Sequence, residues 1–355
     1  MSTYLEIIAG QRQGVAASML RGLLRGMAGG YRCLIGMRNF YYDFLRMPGE
    51  LPIPVISVGN LTVGGTGKTP MAVWLCDQLC KRGYKPAVLS RGYKADREGM
   101  ADELLLVSLR CPRAVAVAHP NRRAAGRLAI EKYGVNVAVL DDGFQHRRLG
   151  RDLDIVLIDA TRPFGFGHIL PRGFLREPVK SLMRADVIVL TRCDQCDAET
   201  FATIERTVRL YNDDAPLLRS FHRAIGLTDL AGDSVAPPTG VRVGAVAGIA
   251  RPETFAETLT RMDLPPSATL WLDDHHVYEP QEADALIDWA RTHRLEAIVT
   301  TEKDAVKLRK LGIDWPVPIY VVGIDVEFMG DDGKILVEQI EAVLPEEAPS
   351  SEPRS

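Results

Sequence analysis

The sequence predicts an α/β protein whose main sheet is mostly parallel. Short apolar runs alternate with longer helical stretches, the first run leads into the glycine-rich loop "GNLTVGGTGKTP", and charged residues gather where the runs end. Uninterrupted apolar runs are the mark of strands buried on both faces. The helices between them provide the crossovers that parallel strands require.

In chain order, strands are expected at Val55–Val58, Ala87–Ser90, Ala114–Ala118, Val137–Leu140, Ile155–Asp159 and Val187–Thr191. Helices are expected at Lys68–Arg82, Arg122–Tyr133, Pro178–Arg184 and Ala198–Tyr211. A second region begins near Ala215, with strands at Val243–Ala247, Ala297–Thr300 and Ile319–Val322. Its helices are Pro252–Arg261, Pro280–Thr292, Lys303–Leu311 and Lys334–Leu344, and "GDSVAPPTG" (232–240) reads as a loop. The expected organisation is a basic amphipathic segment (1–48), a nucleotide-binding core (49–214), a smaller C-terminal α/β domain (215–345) and a polar, Pro-rich disordered tail (346–355).

A chain of 355 residues, 46% hydrophobic and with a net charge of -3, is long enough for a large core and has no electrostatic bias toward nucleic acid. Its six cysteines are scattered, which fits a reducing compartment; Cys193 and Cys196 form one C-x-x-C without the second pair a zinc site would need.

Residues 4–47 hold Arg12, Arg21, Arg25, Arg32, Arg38 and Arg46 against only Glu6 and Asp43, interleaved with Met, Leu and aromatic residues. No uncharged run there reaches the roughly 18–20 residues that span a bilayer. A basic, apolar helix of this kind suits the headgroup region of a membrane surface. The competing reading is a helix that packs on the core.

The glycine loop departs from G-x-x-x-x-G-K-[ST] in one place: Thr62 stands where the first glycine belongs. Gly64 and Gly65 are expected to supply the unusual backbone angles, backbone N–H groups from Thr62 through Gly67 to surround phosphates, Lys68 to reach the outer phosphates, and Thr69 to offer a hydroxyl to Mg²⁺. Pro70 fits the first helical turn, where its missing N–H costs nothing. Membrane-partitioning ATPases carry an extra lysine just before the double glycine; here that position is Val63.

"VNVAVLDDGFQHRRL" is a strand ending in Asp141 and Asp142, a place from which a carboxylate positions Mg²⁺ or its waters. Further charges gather in "VLSRGYK", "ADELLLV", "HPNRRAAGRLA", "LPRGFLREP", "LWLDDHHVYEP" and "VTTEKDAVKL". Transfer of a phosphoryl group to an alcohol needs a proton acceptor. Asp102, with His275 contributed by a distant segment, is a candidate pair.

Taken together, "VGNLTVGGTGKTP", "LSRGYK", "DELLL", "NRRAAG", "LDDGFQHRRL", "LDIVLIDA", "PRGFLREP", "DDHHVY" and "TTEKDAVKL" resemble the tetraacyldisaccharide 4'-kinase (lipid A 4'-kinase) family over about residues 40 to 310. The resemblance implies a P-loop NTPase core with a smaller C-terminal domain. It implies transfer of the γ-phosphate of ATP, with Mg²⁺, to the 4'-hydroxyl of a tetraacylated glucosamine disaccharide 1-phosphate, giving lipid IVA. It also implies a monomer at the cytoplasmic face of the bacterial inner membrane, contacting that lipid and no nucleic acid. By motif, Thr62, Gly64, Gly65, Thr66, Gly67, Lys68, Thr69 and Arg176 would hold nucleotide, and Thr69, Glu177 and Asp141 the metal. Asp102 would be the general base with His275 as partner. Asp141 and Asp142 would lie near the reacting groups, their division of roles left open. Ala101 stands where the family motif often has glycine. Arg122, Arg123, Arg147 and Arg148 are candidates for the substrate's 1-phosphate, and Phe164 and Phe166 for its acyl chains or for a core lid. Two other readings stay open: a soluble small-molecule kinase, and an ATP-driven membrane switch.

Overall fold

A computed structural model describes residues 3–92, 102–274 and 276–345; the expected tail at 346–355 lies outside them. The chain divides into two units: Met1–Arg91, Arg113–Phe221 and Glu327–Ser355 form the first, Gly92–Pro112 and His222–Val326 the second.

The first unit carries strands β1 (Val55–Asn60), β2 (Pro86–Ser90), β3 (Val115–Ala118), β4 (Val137–Asp141), β5 (Leu153–Asp159), β6 (Val187–Thr191) and the start of β7 (Leu217–Asp229). They run β7-β6-β5-β1-β4-β2-β3, with parallel pairing throughout. Every residue of β1, β4, β5 and β6 is buried, as uninterrupted apolar runs require. β1 sits between β4 and β5, registered Ile56 to Val139 and Val58 to Ile155. The connection after β1 runs to β2 on one side and the connection after β4 runs to β5 on the other, so the loops after β1, β4 and β5 rim the crevice where open α/β sheets bind ligands.

The helices are α1 (Thr3–Ile8), α2 (Val15–Phe40), α3 (Lys68–Lys81), α4 (Asp102–Arg110, part of the second unit), α5 (Arg122–Tyr133) and α6 (Ala198–Arg209). α3 buries Met71, Leu75, Cys76 and Leu79, a one-faced stripe at helical spacing. It ends where Gly83 takes a left-handed φ of 84°, so that Tyr84 N–H reaches Leu79 O at 3.0 Å and Gly83 N–H reaches Cys80 O at 3.1 Å. α5 starts on Asn121, whose side chain accepts from the N–H groups of Arg123 and Ala124. The stretch expected as a helix from Pro178 is a 3₁₀ helix at Val179–Arg184. Phe164 packs against the core beneath β5 and β6, and the Phe166 and Phe174 rings lie 5.3 Å apart.

α2 has two apolar stripes. Ala17, Leu24, Ala28 and Ile35 are buried, whereas Met19, Leu23, Met27, Leu34 and Met37 are each more than half exposed. Among the described residues no helix is long and apolar enough to cross a membrane.

The second unit contains β8 (Ser234–Val235), β9 (Val243–Ala247), α7 (Pro252–Arg261), β10 (Ala268–Trp271), α8 (Pro280–Thr292), β11 (Ala297–Thr301), α9 (Glu302–Lys310) and β12 (Ile319–Phe328). Its strands run β10-β9-β11-β12 in parallel. Alternate residues of β9 feed opposite cores: Val243, Ala245 and Ala247 face Phe255 and Leu259, and Val246 faces Leu286 and Leu308. α10 (Asp332–Glu341), which the sequence grouped with the C-terminal domain, belongs to the first unit. Arg82 pairs with Glu341 at 2.7 Å and Arg219 with Asp332 at 3.0 Å, and the rings of Trp74 and Phe328 lie 5.0 Å apart. Partners so distant in sequence leave no local sign of which unit a helix joins.

Candidate active site

β1 ends at Asn60, and the chain turns through the glycine loop into α3. Gly64 and Gly67 take positive φ angles of 113° and 87°. Gly65 is absent from the left-handed residues, which corrects its expected part: Gly64 and Gly67 make the turn. Gly64 and Gly65 are exposed. Thr62, Val63 and Leu61 are zipped to a second segment: Thr62 bridges Leu175, Val63 N–H donates to Phe174 O at 2.8 Å, and Arg176 N–H donates to Leu61 O at 2.7 Å. Pairing on the backbone is indifferent to the Thr62 side chain, which accounts for threonine at a position where the general motif has glycine.

Buried Thr66 anchors the loop from within. Its hydroxyl accepts from Asn60 Nδ2 at 2.8 Å, and its carbonyl accepts from Thr191 Oγ1 at 3.1 Å. Arg192, itself at φ 59°, donates to Gly65 O at 3.0 Å and pairs with Asp159 at 2.5 Å. Asp159 also caps its own turn, accepting from Thr161 N–H at 3.0 Å and Thr161 Oγ1 at 2.6 Å.

Lys68 opens α3 and Thr69 follows it, half-buried. Lys68 Nζ lies 3.4 Å from Asp142 Oδ1 and 3.5 Å from Asn60 Oδ1. Asp142 stands just past β4 at φ 53°, and Arg176 Nη1 lies 2.8 Å from both its oxygens. Burial alone would raise the Asp142 carboxyl, but Lys68 and Arg176 hold it below its ordinary value. Gln145 joins the group, donating to Asn60 O at 2.8 Å and accepting from Arg176 at 3.3 Å. Asp141 ends β4, 6% exposed. Burial lowers the Arg122 guanidinium, and the charges of Asp141 and Asp142 oppose that shift. Lys68, Asp142 and Arg176 thus meet; Gln145 and Arg192 were not singled out because they act through partners remote in sequence, and Asn60 because Thr66 and Lys68 face it only once the loop has turned.

Glu177 is elsewhere engaged. It is fully buried, with Arg38 at 2.6 Å on Oε1, and with Arg184 at 2.9 Å and Asn39 Nδ2 at 3.2 Å on Oε2. Burial would raise its carboxyl, and the pair of arginines holds it low. Two cations neutralise this carboxylate, and through Arg38 and Asn39 it anchors α2.

A cavity of about 470 Å³ adjoins α5, lined among others by Arg46, Glu50, Arg123, His146 and Arg148. Burial and the charges of Arg122, Arg148, Arg151 and Arg91 push His146 down to about 4, so it is neutral at pH 7 beside three cationic side chains.

In the second unit, Asp102 begins α4. Its Oδ2 lies 2.8 Å from Lys307 Nζ. Position 275 is outside the described residues; its neighbours Asp274 and His276 are held at 3.0 Å by Lys303 Nζ and, through the His276 carbonyl, at 2.8 Å by Lys307 Nζ.

A family model described as tetraacyldisaccharide-1-P 4'-kinase matches residues 20–345. Among curated proteins, the tetraacyldisaccharide 4'-kinase of Halothermothrix orenii is 35% identical over 84% of this chain and 87% of its own length. That of Syntrophus aciditrophicus is 39% identical over 78% of this chain and 82% of its own. The crystal structure of LpxK from Aquifex aeolicus in complex with ATP is similar at a TM-score of 0.72, with 29% identity, covering 92% of this chain and 100% of that one. With a match of that extent over this loop and its acidic partner, the chain belongs to the tetraacyldisaccharide-1-P 4'-kinase family.

Proposed function

We propose that the protein transfers the γ-phosphate of ATP to the 4'-hydroxyl of a tetraacyldisaccharide 1-phosphate, as its family's name states. The observation that carries this is the convergence of Lys68, Asp142 and Arg176 beside the exposed double glycine of the loop. Phosphoryl transfer asks a protein for positioning and charge stabilisation more than for covalent chemistry. Loop N–H groups and Lys68 bind the phosphates, and Arg176 adds a second cation. Asp102 takes the proton of the attacking hydroxyl, with His275 as its partner.

Mg²⁺ needs only one or two carboxylates, with phosphate and water completing its shell. The Thr69 hydroxyl and the Asp141 carboxylate fit that donor set. The ion they would hold neutralises charge on the β- and γ-phosphates. Asp142, held by Lys68 and Arg176, orders the cations around the transferred group.

The acceptor is an anionic amphiphile, and two features suit it. The exposed stripe of α2 continues into Phe40, Phe44, Leu45 and Met47, all exposed, and supports attachment to the cytoplasmic face of the inner membrane. The cavity beside α5 holds Arg46, Arg123 and Arg148 against Glu50, a net positive lining suited to the substrate's 1-phosphate.

The test is transfer of labelled γ-phosphate from ATP to tetraacyldisaccharide 1-phosphate in detergent micelles, with and without Mg²⁺. A bis-phosphorylated lipid formed only with Mg²⁺ is expected. Steady ATP hydrolysis without lipid product overturns the reading in favour of a membrane switch. Transfer only to soluble acceptors overturns it in favour of a soluble kinase.

A further inference from the structure

We infer that Lys307 is a positioning residue for the Asp102 base, a role that rests on the reading of Asp102 given above. α4 and α9 run antiparallel, and an ion pair joins them at each end. Arg110, in the last turn of α4, meets Glu302, the first residue of α9, at 2.8 Å. Asp102, the first residue of α4, meets Lys307 at 2.8 Å. The two pairs differ in what else they touch. Lys307 Nζ also donates to the carbonyl of His276 at 2.8 Å, so one ammonium joins the base to the chain immediately after position 275. One turn earlier on the same face of α9, Lys303 holds Asp274, the residue before that position. Lys303 and Lys307 tie Asp274 and His276 to α9, and Lys307 also grips Asp102.

An ammonium on a flexible stem makes this arrangement only if it is held. Lys307 and Asp102 are 11% and 14% exposed at their side chains, so neither swings freely in solvent. Two neighbouring carboxylates have partners of their own: Glu282 faces His276 Nε2 at 3.1 Å, and Asp304 Oδ2 accepts from Thr301 Oγ1 at 2.7 Å and from Gly248 N–H at 3.0 Å. Lys307 holds Oδ2 of Asp102 and so sets the orientation of the carboxylate that receives the hydroxyl proton. A base displaced by about 1 Å costs on the order of 100-fold in rate.

Steady-state kinetics on the full-length protein tests this, with Lys307→Gln, Lys307→Arg, Arg110→Gln, Asp102→Ala and the Lys307→Gln/Asp102→Ala double variant. Arg110→Gln removes the equivalent ion pair at the other end of the same two helices and serves as the structural control. The expected outcome is a kcat for Lys307→Gln lowered about 10- to 100-fold with KM for ATP unchanged, partial recovery in Lys307→Arg, and near wild-type kcat in Arg110→Gln at equal folded fraction. In the Asp102→Ala background the Lys307 change should cost nothing further. Equal losses in Lys307→Gln and Arg110→Gln, or a Lys307 effect that persists in full without Asp102, overturn the positioning role. A wild-type rate in Asp102→Ala overturns the base assignment itself. An inactive Asp102→Ala beside a fully active Lys307→Gln overturns only the inference about Lys307.

Discussion

Glu177 shows how a burial cost is offset one side chain at a time. A fully buried carboxylate is expensive unless cations and hydrogen bonds surround it, and Arg38, Arg184 and Asn39 do so. Glu177→Gln leaves two guanidinium groups facing a neutral amide, and the loss is expected to reach about 3–5 kcal/mol. Its sign with pH follows from the depressed carboxyl. A carboxylate held low in the folded state stabilises above its unfolded value and loses that contribution as pH falls through the folded value. The gap between wild type and variant in urea unfolding should therefore be full at pH 7 and shrink below about pH 4.5. A gap as wide at pH 3.5 as at pH 7 would show that charge is not what Glu177 contributes.

The same neighbourhood ties α2 to the phosphate site. Tyr31 Oη donates to Arg176 O at 3.2 Å, one residue before the carboxylate that Arg38 grips, while the Arg176 side chain holds Asp142.

Among the elements, the end of β1 is packed directly against backbone. A Cβ added at Gly59 would come within 2.5 Å of Phe144 Cβ and 2.6 Å of its backbone nitrogen, and a backbone atom cannot step aside as a flexible side-chain tip can. Gly59→Ala is expected to cost about 1–3 kcal/mol or more and to slow transfer, because Phe144 follows the Asp141–Asp142 corner. Chemical denaturation with parallel kinetics checks this; a variant of unchanged stability would mean that the turn moves freely.

α2 makes the opposite kind of prediction, since its exposed stripe does nothing for the fold. Met19, Leu23 and Met27 changed together to serine should leave the thermal midpoint within a degree or two. Sedimentation with anionic vesicles should fall by at least about tenfold, given roughly 1.5–3 kcal/mol for each side chain withdrawn from an apolar phase. Undiminished sedimentation would assign the stripe to something other than a membrane.

Buried parallel strands were legible because their residues are apolar without interruption, and α3 because its apolar residues recur at helical spacing. β7 was missed because "LLRSFHRAIGLTD" mixes arginine and histidine into a strand of uneven burial. α4 was missed because "ELLLV" reads as an apolar run of no clear period. Lys68, Asp142 and Arg176 lie in recognisable motifs. The partners of Arg192, Glu177 and Lys307 lie 127, 139 and 205 positions from them at Gly65, Arg38 and Asp102, and no local pattern carries information over that span.

At the scale of the whole molecule, the two units are interleaved in sequence. α4 and its ion pairs sit in the second unit although the chain reaches them between β2 and β3. From Glu327 the chain returns to the first unit: the end of β12 contributes the Trp74–Phe328 contact, and α10 the Arg82–Glu341 and Arg219–Asp332 pairs. A chain ending at Val326 loses all three and should weaken the first unit, so limited proteolysis should cut within the α3–β2 region well before it does in the intact protein. Equal resistance there would show that α10 is dispensable.

That return has a consequence for synthesis. A ribosome delivers residues in order, and the first unit cannot close until α10 has left the exit tunnel, after the whole of the second unit has been made. The phosphate-binding loop is thus among the first functional residues translated, yet the unit that carries it is the last to be completed. Through that interval the apolar stripe of α2 is already outside, free to meet a membrane before the enzyme behind it has finished folding.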